Sequence, residues 1–165
     1  MEELTQGTAV PGLPVEPPRG MFTCKLDDRS RLKLPADLVA FFNSLAEKKL
    51  FVTSLDRNIA QIYPMSVWRK NEKLIANHVD DPVAAEIVGF NANDLGGTVE
   101  IDSQGRIVFP QALREELKLD GQTLKVYAVQ EHIDVLTEPV YNQLKQAATP
   151  AARESALKLK KAGLV

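Results

Sequence analysis

The chain has little of what catalytic and secreted proteins are commonly built from. It carries one cysteine, Cys24, so no disulfide can form within it, and a reducing compartment fits best. Its two histidines, His78 and His132, have no Cys, Asp or Glu at a spacing that would converge with them on a metal ion. Neither a metal nor a cofactor is therefore expected. No apolar run approaches the roughly 20 residues that a membrane span needs, and Met1-Glu2-Glu3-Leu4-Thr5-Gln6 has neither the basic start nor the apolar core of a secretory signal. The expectation is a soluble, cytoplasmic protein with no membrane partner. No nucleophile, base and orienting group can be assembled from the residues present, and Gly96-Gly97 lacks the following helix and Lys-Ser/Thr of a phosphate loop. An enzyme with a small-molecule substrate is not expected. Positive charge is also scarce: 20 Lys and Arg against 22 Asp and Glu give a net charge of -2. Any binding to nucleic acid must then come from a local patch, or from repetition of one patch in an oligomer.

What the chain does have is a repeat. Ile101-Asp102-Ser103-Gln104-Gly105-Arg106-Ile107-Val108-Phe109-Pro110 has a counterpart 75 positions earlier, Leu26-Asp27-Asp28-Arg29-Ser30-Arg31-Leu32-Lys33-Leu34-Pro35. Both copies hold an apolar residue, an Asp-x-x-x-Arg core, two alternating apolar positions and a closing proline. The 44% hydrophobic and 25% charged content is ordinary for a globular chain, so the repeat implies two similar units of one fold.

Residues 1–18, with Glu2, Glu3, Glu16 and four prolines, read as a flexible acidic arm. Residues 21–68 form the first unit. Phe22, Cys24 and Leu26 alternate with polar neighbours as in a half-buried strand, which makes Cys24 a small core residue. A tight turn over Asp27 to Ser30 leads to a second strand, where Leu32 and Leu34 point inward while Arg31 and Lys33 project together away from the core. Leu38, Phe41, Phe42 and Leu45 then mark an amphipathic helix, and Leu50–Thr53 and Ile59–Tyr63 two strands around a turn. Residues 69–96 are a helical connector. Its first helix, starting near Pro64, carries Val67, Trp68, Leu74 and Ile75, with Trp68 as core or subunit interface. Its second begins after Asp80-Asp81 with Pro82 in the first turn and has Ala84, Ile87 and Val88 as its apolar side. Residues 97–141 repeat the unit, with the helix at Leu113 and Leu117 leaving at Asp120-Gly121. Residues 142–165 form a tail in which two helices are expected, Val140 to Ala148 and Ala152 to Ala162. The second of these is marginal, since Ala156, Leu157 and Leu159 give it only a thin apolar face. The fold class is α+β with a mainly β core.

An Asp four residues before an Arg, across a tight turn, forms a local ion pair. At the surface such a pair adds little stability, and one copy would be read as structural. Two copies at equivalent positions carry more weight, because turn geometry calls for glycine or asparagine and has no need of arginine. A displayed guanidinium suits a phosphate or a guanine edge, which its planar fork can engage with two hydrogen bonds. The units differ in charge. Residues 25–34 hold Lys25, Arg29, Arg31 and Lys33 against Asp27 and Asp28, whereas residues 99–109 hold only Arg106 against Glu100 and Asp102.

These residues carry a resemblance. Arg19-Gly20-Met21-Phe22 leading into Leu26-Asp27-x-x-x-Arg31-Leu32-x-Leu34-Pro35, then Tyr63-Pro64 and Trp68, and Ile101-Asp102-x-x-Gly105-Arg106-Ile107 in the second half, resemble the MraZ family of bacterial transcriptional regulators. The resemblance implies two tandem AbrB-like swapped-hairpin units interlocked into one pseudo-twofold domain. It also implies a homo-oligomeric ring that is cytoplasmic and nucleoid-associated and exposes the Asp-x-x-x-Arg turns on one face. That face would bind double-stranded DNA at direct repeats upstream of the cell-division and cell-wall gene cluster. By the resemblance Arg31 and Arg106 would be the contacts and Asp27 and Asp102 would position them, while the charge count adds Lys33, Arg29 and Lys25 as further expected contacts. The chain departs from the pattern at Ser30, which stands where the second unit has Gly105, and in the acidic arm ahead of Arg19, which would screen the basic face. The Ser30 departure and the acidic second unit motivate an alternative, an oligomeric structural or protein-interaction module of the same fold with weak or lost DNA binding.

Overall fold

The alternating stretches become strands, and the strands of one half pair with those of the other. The structure, a computed structural model, describes residues 16–78 and 80–165. The expected arm lies outside these except for its last three residues. In chain order the elements are β1 (Met21–Lys25), β2 (Arg31–Lys33), α1 (Ala36–Ser44), β3 (Lys49–Thr53), β4 (Ala60–Pro64), α2 (Met65–Asn77), α3 (Pro82–Leu95), β5 (Gly97–Glu100), β6 (Arg106–Val108), α4 (Gln111–Leu117), β7 (Thr123–Val129), β8 (His132–Leu136) and α5 (Glu138–Lys161).

A six-stranded antiparallel sheet has the order β1-β7-β8-β4-β3-β5, and β2 and β6 form a separate two-stranded ribbon. Replacing each strand by its repeat counterpart reverses the sheet order and leaves it otherwise unchanged. Pairing crosses between halves at both edges, with Met21–Lys25 on Tyr127–Thr123 and Lys49–Val52 on Glu100–Gly97. The fold is α+β with a mainly antiparallel sheet.

One core serves both halves. Leu26, Leu32, Leu34, Leu38 and Phe42 from the first pack in the same cluster as Ile107, Phe109, Leu113, Leu117 and Leu124 from the second, with Cys24 half-buried against it. Burial also pushes the Cys24 thiol up from its ordinary pKa. A smaller cluster under the connector is built on Trp68, which stacks on Phe51 at 4.5 Å and lies 5.1 Å from Tyr63.

The helices differ from expectation in three places. The tail is one helix, α5, running through Pro150. Proline removes a single backbone donor from a long ladder, and the strong helix formers Ala147, Ala148, Ala151 and Ala152 on either side hold the turn. Helix α3 is capped by Asp81, whose carboxylate accepts from the Ala84 amide at 3.0 Å, yet it buries Ala92 and Leu95 and leaves Ala84 and Ile87 exposed. Its last turn is held instead by Thr53, whose hydroxyl donates to the Ala92 carbonyl at 2.8 Å. The chain leaves α4 at Lys118, whose φ of 54° takes the left-handed cap expected of glycine.

Candidate nucleic-acid interface

The ribbon places the sequence motif. Arg31 lies opposite Val108, Leu32 opposite Ile107 and Lys33 opposite Arg106. Side chains alternate across a strand, and Leu32 and Ile107, at 0% and 1% exposure, occupy the inner face. Arg31, Lys33, Arg106 and Val108 therefore share the outer one. Under the repeat, Arg31 corresponds to Arg106 and Lys33 to Val108, so the two arginines sit diagonally about the Leu32–Ile107 pair.

Each arginine is held by its own aspartate in the same way. In the first turn Asp27 Oδ1 accepts from the Arg29 and Arg31 amides, both at 2.9 Å, and Oδ2 accepts from Arg31 Nε at 2.7 Å. In the second, Asp102 Oδ1 accepts from the Gln104 and Arg106 amides at 2.8 and 2.9 Å, and Oδ2 from Arg106 Nε at 2.8 Å. The amide of the following arginine, above all, holds each carboxyl below the usual carboxylate range, with help from the guanidinium. The turns also close each other's strands. Leu34 N donates to the Gly105 carbonyl at 2.9 Å, and Phe109 N to the Ser30 carbonyl at 3.4 Å.

Ser30 adopts φ 61° where Gly105 has 75°. The first turn thus keeps the geometry of the second and accepts the left-handed conformation without glycine. Gly105 has a further reason to be glycine, since a Cβ there would lie 3.0 Å from a Val39 methyl of α1.

The two ribbon arginines use one nitrogen each. Their Nη1 and Nη2 groups make no hydrogen bond among the described residues, and the two side chains are 25% and 22% exposed. Arg57, in the turn between β3 and β4, provides the contrast. Its Nε donates to Asn91 at 2.8 Å, Nη2 to Asp94 at 2.7 Å and Nη1 to Glu116 at 3.1 Å, and the guanidinium lies over the Phe90 ring. That arginine is consumed in joining the turn to α3 and α4. The sequence reading missed it, because its partners lie 34, 37 and 59 residues away and no local pattern points to them.

Comparison with known proteins gives the family. No family model matches the chain. It is similar to the transcriptional regulator MraZ of Acidobacterium capsulatum, 33% identical over 125 residues that cover 76% of this chain and 85% of the relative. It is also similar to that of Koribacter versatilis, 31% identical over 141 residues covering 84% and 95%, and to that of Desulfitobacterium hafniense, 30% identical over 145 residues covering 85% and 96%. The chain belongs to the MraZ family. This is a family of transcriptional regulators and not of enzymes.

The remaining sequence candidates of this MraZ-family chain fall in different places. Arg29 sits exposed at the tip of the first turn, where the second unit has Gln104. Lys25 ends β1 in the large sheet, opposite Thr123, and so is not on the ribbon. His132 Nε2 lies 2.8 Å from Asp134 Oδ1, with the Gln61 amide beside both, in a polar bridge between β4 and β8. Burial first, and then the Asp134 charge, push the phenol of neighbouring Tyr63 up to about 12. Among the described residues no three His, Cys, Asp or Glu side chains group as a metal site, and no helix is long and apolar enough to cross a membrane.

Proposed function

We propose that this transcriptional regulator binds double-stranded DNA with the outer face of the β2–β6 ribbon and its two turns. The observation that carries the reading is the pair of arginines held at Nε by Asp27 and Asp102 with both Nη groups open. A guanidinium pre-set in this way loses little freedom on binding and offers two parallel donors to a phosphate or a guanine edge. Lys33 on the same face and Arg29 at the turn tip add positive charge, and Lys25 adds it from the sheet edge. The first unit supplies most of the attraction, since Val108 stands where that unit has Lys33.

The strand exchange supports reading residues 21–68 and 97–141 as tandem AbrB-type swapped-hairpin units in one pseudo-twofold domain, with 69–96 as connector and 142–165 as tail. We read the assembly as a homo-oligomeric ring that is cytoplasmic and nucleoid-associated. Its sites are direct repeats upstream of the cell-division and cell-wall gene cluster. In a ring, weak patches add up, because each contact after the first is intramolecular. The alternative, an interaction module with lost DNA binding, is favoured only by Val108 and the acidic second unit, since Ser30 leaves its turn undistorted. Titration of a labelled duplex containing the direct repeats, against scrambled duplex and at several salt concentrations, tests the reading. Steep weakening with salt and a clear drop in affinity in Arg31→Ala are expected. Unchanged affinity in the Arg31→Ala, Arg106→Ala double variant would refute it.

A further inference from the structure

Helices α2 and α5 occupy equivalent places. Each follows the last strand of its unit, and each rests an aromatic side chain on the neighbouring strand: Trp68 on Phe51 of β3, Tyr141 on Lys125 of β7 at 5.2 Å. Beyond that point they differ. Helix α3 covers α2 so closely that a Cβ on Gly89 would lie 3.2 Å from an Ile75 methyl. Nothing among the described residues covers α5, which is exposed from Asn142 onward, with only Val140 buried. The side that Val140 turns to the body continues outward through Leu144, Ala148, Ala151, Ser155 and Leu159, at intervals of three and four residues.

Helix α3 has a complementary face. Val83, Ile87 and Phe90 follow at the same intervals and are 64%, 55% and 64% exposed. Charge on the two helices is opposite. Residues 80–95 contain Asp80, Asp81, Glu86 and Asp94 and no Lys or Arg, whereas residues 142–161 contain Lys145, Arg153, Lys158, Lys160 and Lys161 against Glu154 alone. An apolar stripe on an acidic helix and one on a basic helix, both largely exposed although Arg57 lies over one side of Phe90, and on different parts of one chain, fit each other in a second copy.

We propose that α5 of one subunit seats on the Val83–Ile87–Phe90 face of α3 in the next. The proposal rests on the homo-oligomer reading and names its interface. A head-to-tail contact of this kind uses two different patches and generates a closed ring if the rotation closes. It leaves the β2–β6 ribbon out of the interface.

Light scattering on full-length variants, with thermal unfolding as the check on folding, tests it. The unaltered chain is expected as a multi-subunit particle, with Ile87→Lys and the Leu144→Glu, Leu159→Glu double variant each reduced to the 18.2 kDa monomer. Each variant keeps the face that is disabled in the other, so an equimolar mixture should form a species of twice the monomer mass and grow no further. Variants that keep the mass of the unaltered chain would overturn the proposal while leaving the homo-oligomer standing, and a mixture that stays monomeric would overturn it as well. A monomeric unaltered chain would remove both. Lys158→Glu with Lys161→Glu should also lower the assembly mass. If that variant instead weakens only duplex binding, α5 serves DNA and the interface is elsewhere. An intact assembly that binds no duplex would contradict the DNA reading alone.

Discussion

Asp27 and Asp102 do two jobs with one carboxylate each. Oδ1 closes the turn on two backbone amides, and Oδ2 aims the guanidinium. Because their pKa values are lowered in the folded state, the stability they contribute is fully present above the ordinary carboxylate pKa of about 4 and is lost as pH falls through the depressed folded value. The unfolding midpoint of the unaltered chain should therefore exceed that of Asp27→Asn, Asp102→Asn near neutrality, and the two should converge as the pH is taken below about 4. A constant gap across that range would show that neither aspartate titrates as described. Duplex affinity should also fall in the Asn variants, whose single amide oxygen cannot both close the turn and accept from Nε. Gly105→Ala should cost about 1–2 kcal/mol in a denaturant titration, because an L residue at positive φ is strained and its methyl meets Val39. Ser30 already bears that strain, so Ser30→Ala should change stability much less than Gly105→Ala.

At the scale of elements, the ribbon exists because each half supplies one strand and one inward residue. Phe109 on the second half is fully buried in the same cluster as Leu34 and Phe42 of the first. Phe109→Ala should cost about 3–5 kcal/mol and unfold both halves in one transition, read by calorimetry. Independent melting of the halves would contradict a shared core. Arg57→Ala should lower the melting temperature by detaching the β3–β4 turn from α3 and α4, with duplex affinity at low temperature unchanged. Much of this layer was legible. The period-2 alternation located β1, β2, β5 and β6, and the Asp81-Pro82 start located α3. Partner choice was not legible, because alternation tells which face a residue occupies and is silent about which strand it meets. The split expected at Pro150 failed because flanking alanines outweigh one missing donor. The apolar side expected for α3 at Ala84, Ile87 and Val88 is only half-buried at Val88 and exposed at the other two, because the fully buried residues of that helix, Ala92 and Leu95, lie in its last turn.

At the scale of the whole molecule, the proposed binding of DNA depends on a small local charge in a chain whose net charge of -2 gives no overall attraction to nucleic acid. The motif itself was readable from the 75-residue offset, because identical chemistry recurs at identical spacing. The features on which the proposed binding rests were not, since the Nη groups without hydrogen-bond partners, the diagonal placement of Arg31 and Arg106 and the substitution of Val108 for a cation need the ribbon register. The most direct measurement of the central claim is the affinity for the direct-repeat duplex as a function of salt, compared between the unaltered chain and Arg31→Ala. Binding should weaken by roughly 1–3 kcal/mol in Arg31→Ala, and the slope of log K against log salt should drop by about 0.9 for each phosphate that the particle no longer neutralises. An Arg31→Ala variant with the same affinity and the same salt slope would show that the ribbon does not meet DNA.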